Sequence, residues 1–172
     1  MVNAGTCLFA LVAFVAGQRT GELVLASRNA AWARARGALE FGAGHYPAIV
    51  ALHVAWFVAW PLEAWLRGPQ LSGAAPILLL LFAAAQVLRY AAIASLGRRW
   101  NTRILVLPGA PPIRRGPYRF LRHPNYVAVV LELAALPLMF GATYTAAITG
   151  VLNLVVLLFV RIPAESRALH LV

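Results

Sequence analysis

Residues 116–126, GPYRFLRHPNY, place two arginines, a histidine and two tyrosines directly before a long apolar stretch. Proline is favoured at the first position of a helix, so Pro124 is expected to begin one, with His123 near its cap. The unpaired N–H groups of a helix N-terminus attract carboxylates and phosphates. Tyr118 and Tyr126 add flat aromatic surfaces, and the Gly-Pro pair adds a turn that lets the backbone approach a ligand. The segment therefore predicts a site for an anionic, aromatic, soluble ligand at a membrane surface.

The composition excludes a soluble globular protein. Of 172 residues, 62% are hydrophobic and 12% are charged, whereas soluble domains average about 25% charged residues. The net charge is +10, and every base is arginine and every acid is glutamate. Arginines that flank apolar spans commonly fix membrane topology, so this charge does not indicate a nucleic-acid partner. Cys7 is the only cysteine, so neither an intramolecular disulfide nor a cysteine-based metal site is expected.

The apolar stretches predict an all-α integral membrane protein with five transmembrane helices. The spans are about 3–26, 46–66, 75–96, 124–140 and 144–160. The first is taken as an uncleaved span, because no basic residue precedes Arg19. Spans four and five are joined only by Gly141-Ala142-Thr143, so they should form a tight helical hairpin. We expect a single domain, residues 1–172, in which 1–74 is a variable pair of spans and 75–172 is the functional core.

The arginines also predict the orientation of the chain. Twelve of them fall in the first loop, the third loop or the C-terminal tail, against only Arg67 on the opposite side. The positive-inside rule then places the N-terminus outside and the tail in the cytosol of a plasma-membrane protein. Two interpretations of the arginine groups remain open. The arginines either fix topology alone or also bind a ligand.

Each predicted span carries one polar residue at a similar depth from the arginine-rich end. These residues are Arg19, His53, Arg89, Glu132 and Asn153. At the helical rise they lie roughly 10–12 Å below that surface. Ionisable groups in a membrane are costly and pair with one another, and the pair expected here is Arg89 with Glu132. The layer is either an ion-pair network that holds the bundle together or the wall of a polar pocket open to the cytosol.

The C-terminal segment RIPAESRAL provides a second polar group near the surface. Arg161 and Glu165 are four residues apart, a spacing that on a plain helix gives an ordinary ion pair. Pro163 lies between them and is expected to break or restart the helix. A simple surface pair therefore becomes less favoured, and a ligand contact becomes the alternative.

These motifs resemble the isoprenylcysteine carboxyl methyltransferase family of integral-membrane enzymes. GPYRFLRHPNY, followed by a short hairpin and RIPAE, carries the resemblance, and the upstream QVLRYAAIASLGRRWNTRI is also similar. The similar region covers about residues 86–169. The resemblance implies a methyltransferase that uses S-adenosylmethionine.

The resemblance also implies roles for particular residues. The cofactor would be held by Ile113, Tyr118, His123, Pro124, Asn125, Tyr126 and Glu165, with Glu165 on the cofactor amine. Arg161 would face the methyl acceptor. The family often has two adjacent glutamates after the arginine, whereas this chain has Ser166 in the second place.

The first half of the chain resembles a bacterial branch of this family whose members are found with type III polyketide synthases. That branch implies methylation of phenolic lipids such as alkylresorcinols and alkylpyrones. A phenol has a pKa near about 10, so its methylation benefits from a general base or a nearby cation. The candidate bases are Glu132, Glu40 and His53, and Arg89 is a candidate for lowering the pKa of the acceptor.

Three functional hypotheses follow from the sequence. The first is O-methylation of a membrane-embedded phenolic or pyrone lipid. The second is carboxyl methylation of a prenylcysteine or N-methylation of a phospholipid. The third is a non-enzymatic carrier or proton relay that uses the Arg89–Glu132 layer. Binding of S-adenosylmethionine separates the third hypothesis from the others, and identification of the product separates the first two.

Overall fold

The computed structural model describes residues 3–171, so residues 1, 2 and 172 of the expected single domain lie outside the described part. The helices are α1 (Ala4–Arg34), α2 (Tyr46–Leu66), α3 (Ala75–Leu96), α4 (Pro124–Met139), α5 (Thr143–Val156) and α6 (Ile162–Leu171). The strands are β1 (Leu39–Phe41) and β2 (Ile104–Val106). The bounds of α2 and α3 agree with those of the second and third predicted spans.

The described residues contain four helical stretches long and apolar enough to cross a membrane, and α4 is a shorter apolar helix. The long stretches are Ala4–Arg34, Ala43–Leu66, Ala75–Arg99 and Thr143–Leu171. Large apolar side chains such as Leu80, Val87 and Phe159 point outward and are exposed. A helical bundle with an apolar outer surface matches a lipid environment, in which each helix satisfies its own backbone hydrogen bonds. The prediction of a multi-pass helical membrane protein is confirmed, while the count of five spans stays a prediction.

Helix α1 is longer than the predicted first span, which was expected to end near Ala26. The following residues are good helix formers, and the first glycine after them is Gly37, so the helix continues to Arg34. This extension is anchored rather than free. Asn29 Nδ2 donates to the carbonyl oxygen of Trp100 at 2.8 Å, and Asn101 Nδ2 donates to that of Ala26 at 2.9 Å. Arg28 and Arg34 therefore lie on a helix and not in a loop.

The all-α prediction missed a short antiparallel sheet. Strand β1 pairs with β2, with Phe41 opposite Ile104 and Leu39 opposite Val106. Strands of three residues are too short to show alternating polarity, and the partners lie more than sixty residues apart in sequence. The sheet joins the loop after α1 to the loop after α3, and α6 packs against both strands. It thereby brings three loop and tail segments together at one end of the bundle.

The core lies among α1, α2, α3 and α4. Trp56 and Trp60 of α2 pack beside each other, and Trp60 contacts the ring of Phe140. The indole N–H of Trp56 donates to the carbonyl oxygen of Leu133 at 3.1 Å, which fixes α2 against α4. Aromatic side chains of this size supply much of the buried area of a core.

The predicted hairpin between the fourth and fifth spans is confirmed. Helices α4 and α5 are separated by residues 140–142, and Gly141 has a positive φ of 71° that permits the turn. Glu63 of α2 accepts hydrogen bonds from the backbone N–H groups of Tyr144 and Thr145, at 3.1 and 2.7 Å. This carboxylate caps the first turn of α5 and fixes the hairpin against α2.

The tail remains helical beyond the predicted end of the fifth span. A π-helical turn over Leu157–Arg161 connects α5 to α6. Pro163 lies in the first turn of α6, where its missing N–H is tolerated, so the helix changes type and then resumes. Such π-helical insertions occur often at functional sites.

Candidate functional site

Four charged side chains form a buried charge cluster between α1, α3 and α4, made of Arg19, Glu22, Arg89 and Glu132. Arg19 and Arg89 both donate hydrogen bonds to the carboxylate of Glu132, which is almost completely buried. Glu22 accepts from Arg19, and its Oε2 lies 3.7 Å from Nη1 of Arg89. The predicted Arg89–Glu132 pair is confirmed. Two arginines and two glutamates give the cluster no net charge, which suits an apolar surrounding.

The predicted polar layer is only partly assembled. Arg19, Arg89 and Glu132 are in direct contact, whereas His53 bonds within its own helix. The ring N–H at Nδ1 of His53 donates to the carbonyl oxygen of Ile49 at 2.8 Å. Asn153 is buried on α5. A shared depth along the membrane normal does not fix the direction in which a side chain points. Residues at the same depth can therefore contact different neighbours.

A second group, the tail cluster, lies at the arginine-rich end and contains His123, Tyr126, Arg161 and Glu165. The hydroxyl of Tyr126 donates to Glu165 and accepts from Nε of Arg161 at 3.2 Å. Nδ1 of His123 lies 3.5 Å from Oε2 of Glu165. The rings of His123 and Tyr126 are stacked, with centroids 5.2 Å apart and planes within 9°. These four residues were all predicted site residues, and the fold brings them together.

The hairpin and the π-helical turn explain why these residues meet. His123 and Tyr126 are three residues apart at the start of α4, and Arg161 and Glu165 are four apart at the end of the following helix, so each pair shares a face. The ordinary Arg161–Glu165 ion pair that their spacing suggests is replaced by other contacts. Arg161 bonds to Tyr126 and, through Nη2, to the carbonyl oxygen of Thr102 at 2.7 Å. Glu165 instead contacts Tyr126 and His123.

The tail cluster offers partners for a polar, positively charged ligand. Within residues 3–171, the hydrogen bond and ion contact of Glu165 are made by Oε2, so Oε1 is available to accept from an ammonium group. Oδ1 of Asn125 is buried and has no hydrogen-bond partner in the described chain. A buried acceptor without a partner is costly, so this oxygen fits a donor from a ligand. Pro124, the first residue of α4, is buried.

Tyr118 and Ile113 extend the site toward the loop before α4. Burial, together with the negative charge of Glu165, raises the pKa of Tyr118 to about 12, so its hydroxyl remains neutral at physiological pH. Ile113 lines an open pocket of about 590 Å³. The other residues that line this pocket are Trp32, Leu96, Arg98, Arg99, Pro111, Pro112, Arg114 and Arg115. An elongated ligand bound at Glu165 and Ile113 would therefore cross a strongly basic surface.

Gly116 sets the position of the turn that carries Tyr118. Its φ is +55°, and a Cβ built there would lie 2.1 Å from Oγ of Ser95 on α3. Beside it, Nε of Arg115 donates to the carbonyl oxygen of Ser95 at 2.8 Å. Glycine is therefore required both for the backbone conformation and for the close approach to α3.

Glu40 lies on the sheet and apart from Glu132. Its oxygens accept from Nη2 of Arg34 at 2.8 Å and Nη1 of Arg103 at 2.6 Å. The hydrogen bond from Arg34 and then that from Arg103 lower the pKa of Glu40. The guanidinium of Arg103 also lies 4.3 Å above the ring of Tyr46, whose hydroxyl is 3.0 Å from Oγ1 of Thr102. Glu40 thus belongs to a network that continues through Thr102 to Arg161.

Several members of these networks were not predicted from the sequence. Glu22 follows Arg19 by three residues on one helix face, and that spacing was a usable signal. Thr102 contacts Arg161 through its carbonyl oxygen, a main-chain group that every residue type carries. Tyr46 meets Thr102 and Arg103 because the sheet joins two loops, and the sheet itself was not predicted.

The chain is similar to several known proteins. The model of the isoprenylcysteine carboxyl methyltransferase (ICMT) family matches residues 77–171, which include the whole tail cluster. The uncharacterized protein YpbQ of Bacillus subtilis is 40% identical over 164 residues, covering 93% of this chain and 95% of the relative. An uncharacterized protein of Haemophilus influenzae is 29% identical over 136 residues, or 78% of each chain. No solved structure matches the chain. The chain belongs to the isoprenylcysteine carboxyl methyltransferase family of membrane methyltransferases.

Proposed function

We propose that this protein methylates an oxygen of a membrane-embedded lipid with S-adenosylmethionine as methyl donor, and that the lipid is a phenolic or pyrone polyketide lipid. The observation that carries the proposal is the tail cluster, in which a carboxylate, two stacked rings and a guanidinium meet inside the region matched by the family. S-adenosylmethionine supplies an electrophilic methyl group on a positively charged sulfur.

The described residues fit such a cofactor. Glu165 would accept from the cofactor amine through Oε1, and Asn125 would offer its unpaired buried oxygen to a second donor. His123 and Tyr126 present a continuous aromatic surface on α4, and Tyr118 presents a neutral phenol. Pro124 and the loop at Ile113 complete the surface in this proposal. Arg161 holds Tyr126 in place and faces the acceptor.

The acceptor oxygen would lie near Arg161 rather than at the buried charge cluster. Glu132 is six residues beyond Tyr126 on α4, which corresponds to roughly 9 Å along the helix axis. A displacement reaction requires the acceptor oxygen within about 3–3.5 Å of the methyl carbon. A methyl group held at the tail cluster is therefore far from Glu132 and Arg89. In this arrangement the buried charge cluster stabilises the helices that carry the site, and Arg161 contacts the reacting oxygen.

Two alternatives remain within the same enzyme class. A prenylcysteine carboxylate is already ionised at neutral pH and needs no base, and a phospholipid amine would be methylated on nitrogen. The resemblance of the first half of the chain to enzymes that accompany type III polyketide synthases favours the phenolic lipid. Family membership and the hydrogen-bonding groups around Glu165 favour methyl transfer over a carrier or proton relay.

We also propose the location and organisation that suit this activity. The protein lies in the plasma membrane with five spans, the N-terminus outside, and the tail cluster facing the cytosol, where the soluble cofactor is found. Residues 1–74 form the variable part and 75–172 form the methyltransferase core, in functional association with a type III polyketide synthase.

The first experiment measures cofactor binding by the purified protein in detergent. Saturable binding of S-adenosylmethionine is expected, and Glu165→Ala and His123→Ala should weaken it by about tenfold or more, because a charged hydrogen-bond partner is worth roughly 1.5–3 kcal/mol. Arg167→Ala is the matched control, since Arg167 is exposed on the same helix. Wild-type affinity in both variants would remove Glu165 and His123 from the cofactor site.

The second experiment identifies the acceptor. The protein is incubated with labelled S-adenosylmethionine and, separately, an alkylresorcinol, a prenylcysteine and a phosphatidylethanolamine, and the products are analysed by mass spectrometry. Methylation of the alkylresorcinol alone is the expected result. Methylation of either other lipid in its place would replace the proposed acceptor but retain the cofactor.

The third experiment tests the orientation. A cysteine replaces Arg103 in a protein whose Cys7 has been changed to serine, so that it is the single thiol. It should react in intact cells only with reagents that cross the membrane. Labelling by an impermeant reagent would reverse the proposed topology.

A further inference from the structure

Methylation of a phenol requires that its proton be accepted, and the candidate bases predicted from the sequence are poorly placed. Both oxygens of Glu132 accept from arginines. Both oxygens of Glu40 do the same, which lowers the pKa of Glu40 and weakens it as a base. His53 lies seven residues along α2 from Tyr46, about 10 Å below the level of the tail cluster. A different group near Arg161 is needed.

His45 adjoins the network that contacts Arg161. It ends a 3₁₀ turn directly before Tyr46, and the hydroxyl of Tyr46 lies 3.0 Å from Oγ1 of Thr102. The carbonyl oxygen of Thr102 in turn accepts from Arg161 at 2.7 Å. The strand before His45 packs against α6, which carries Glu165.

The imidazole of His45 is held in place and has an unused nitrogen. Its Nε2 is buried and has no hydrogen-bond partner in the described residues. The ring packs on the backbone of Gly42, where a Cβ would lie 2.1 Å from Cε1 of His45, and Gly42 also has a positive φ of 65°. A side chain at residue 42 would therefore displace the ring. A buried ring nitrogen that lacks a protein partner is expected to meet a polar group from elsewhere.

We propose, on the basis of the function proposed above, that Nε2 of His45 is the general base that accepts the hydroxyl proton of the lipid acceptor. As the acceptor oxygen bonds to the methyl carbon, the carbon–sulfur bond breaks with its electron pair going to sulfur, and the hydroxyl proton passes to Nε2. The imidazolium then releases that proton to water. Arg161 stabilises the negative charge that develops on the acceptor oxygen.

The test compares His45→Ala and His45→Gln with His170→Ala, which changes an exposed histidine of the tail. Turnover of an alkylresorcinol should fall about 10²–10⁴-fold in both His45 variants, as expected for loss of a general base. Affinity for S-adenosylmethionine should match that of wild type in all three variants. The loss should shrink for more acidic phenols, because an acceptor that is already ionised needs no base, and added imidazole should restore part of the activity of His45→Ala.

A second readout does not depend on turnover or on the stability of a variant. A lipid that carries a nitrophenol head group is bound to the wild-type protein together with S-adenosylhomocysteine, and ionisation of the head group is followed by phenolate absorbance. Binding should increase the phenolate fraction in wild type, and this increase should be absent in the His45 variants. A head group that stays neutral on the wild-type protein would overturn the proposal, even if neither His45 variant folds.

The outcomes separate this inference from the function on which it rests. If wild type methylates the alkylresorcinol and the His45 variants turn over equally fast, His45 is not the base and the proposed function stands. If the loss is the same for every phenol regardless of acidity, the inference also fails, because His45 then serves structure alone. If wild type methylates no hydroxyl lipid, both the proposed function and the inference are wrong.

Discussion

Replacing Glu132 by glutamine should destabilise the protein while sparing cofactor binding. The side chain is 1% exposed and lies between Arg89, which is 4% exposed, and Arg19, which is 28% exposed. The change leaves the four-residue cluster with two arginines against Glu22 alone. Loss of one partner from a buried pair costs about 3–5 kcal/mol. The contact with Arg19 contributes less than that with Arg89, because Arg19 is partly screened by solvent.

The assay is unfolding in detergent micelles, followed by helical circular dichroism for wild type, Glu132→Gln, Arg89→Gln and the double variant. Each single variant should unfold at a clearly lower temperature than wild type. The double variant restores a neutral cluster, so the two losses should not add, and the coupling should be about 1–3 kcal/mol. The affinity for S-adenosylmethionine should remain near normal because the tail cluster shares no contact with Glu132.

Three results would refute this explanation. Additive losses in the double variant would mean that Arg89 and Glu132 do not stabilise each other. A fully stable Glu132→Gln protein whose turnover of a phenolic lipid falls by about 10²–10⁴-fold would instead make Glu132 the general base. A fully stable variant with normal turnover would exclude both roles.

Three further predictions concern the elements that position the site. The pKa of Glu40 is held below its ordinary value of 4.5, so the ion pairs of Glu40 stabilise the fold above pH 4.5 and are lost as the pH falls through the folded pKa. Stability against unfolding, measured as a function of acid pH, should show this loss in wild type but not in Glu40→Gln. Gly116→Ala should lower the stability of the protein by about 1–3 kcal/mol, because residue 116 has a positive φ and a Cβ there would clash with Ser95. Gly150→Ala, whose Cβ would meet no neighbour, should be neutral or stabilising. Equal unfolding temperatures for the two variants would contradict the packing argument. Glu63→Ala should cost about 0.5–2 kcal/mol through loss of the cap on α5, and unchanged unfolding would show that the cap contributes nothing.

The features predicted well from the sequence are those set by strong local patterns. Long apolar runs define α2 and α3 to the residue, and the short connection at Gly141 requires a hairpin. The motifs around His123 and Glu165 were recognisable because their residue types carry chemistry. The Arg89–Glu132 pair followed from the cost of leaving either charge alone in a membrane.

The features that were missed depend on contacts between distant segments. The sheet joins strands of three residues from two loops, and neither strand has enough length to show a pattern. The end of α1 was placed too early because a hydrophobicity criterion stops just before Arg28, although Arg28 and Arg34 are good helix formers. The role of Thr102 is carried by a main-chain carbonyl, which any residue provides.

The position of His45 gives the two halves of the chain different tasks. The family match begins at residue 77 and contains Tyr126, Arg161 and Glu165, which we assign to the methyl donor and the reacting oxygen. His45 and the strand before it lie outside this match and connect to Arg161 through the sheet and Thr102. A carboxylate acceptor would need no base, whereas a phenol would. A base supplied by the N-terminal half would therefore let the same donor site serve acceptors of different acidity, with the segment before residue 77 setting which acceptor reacts.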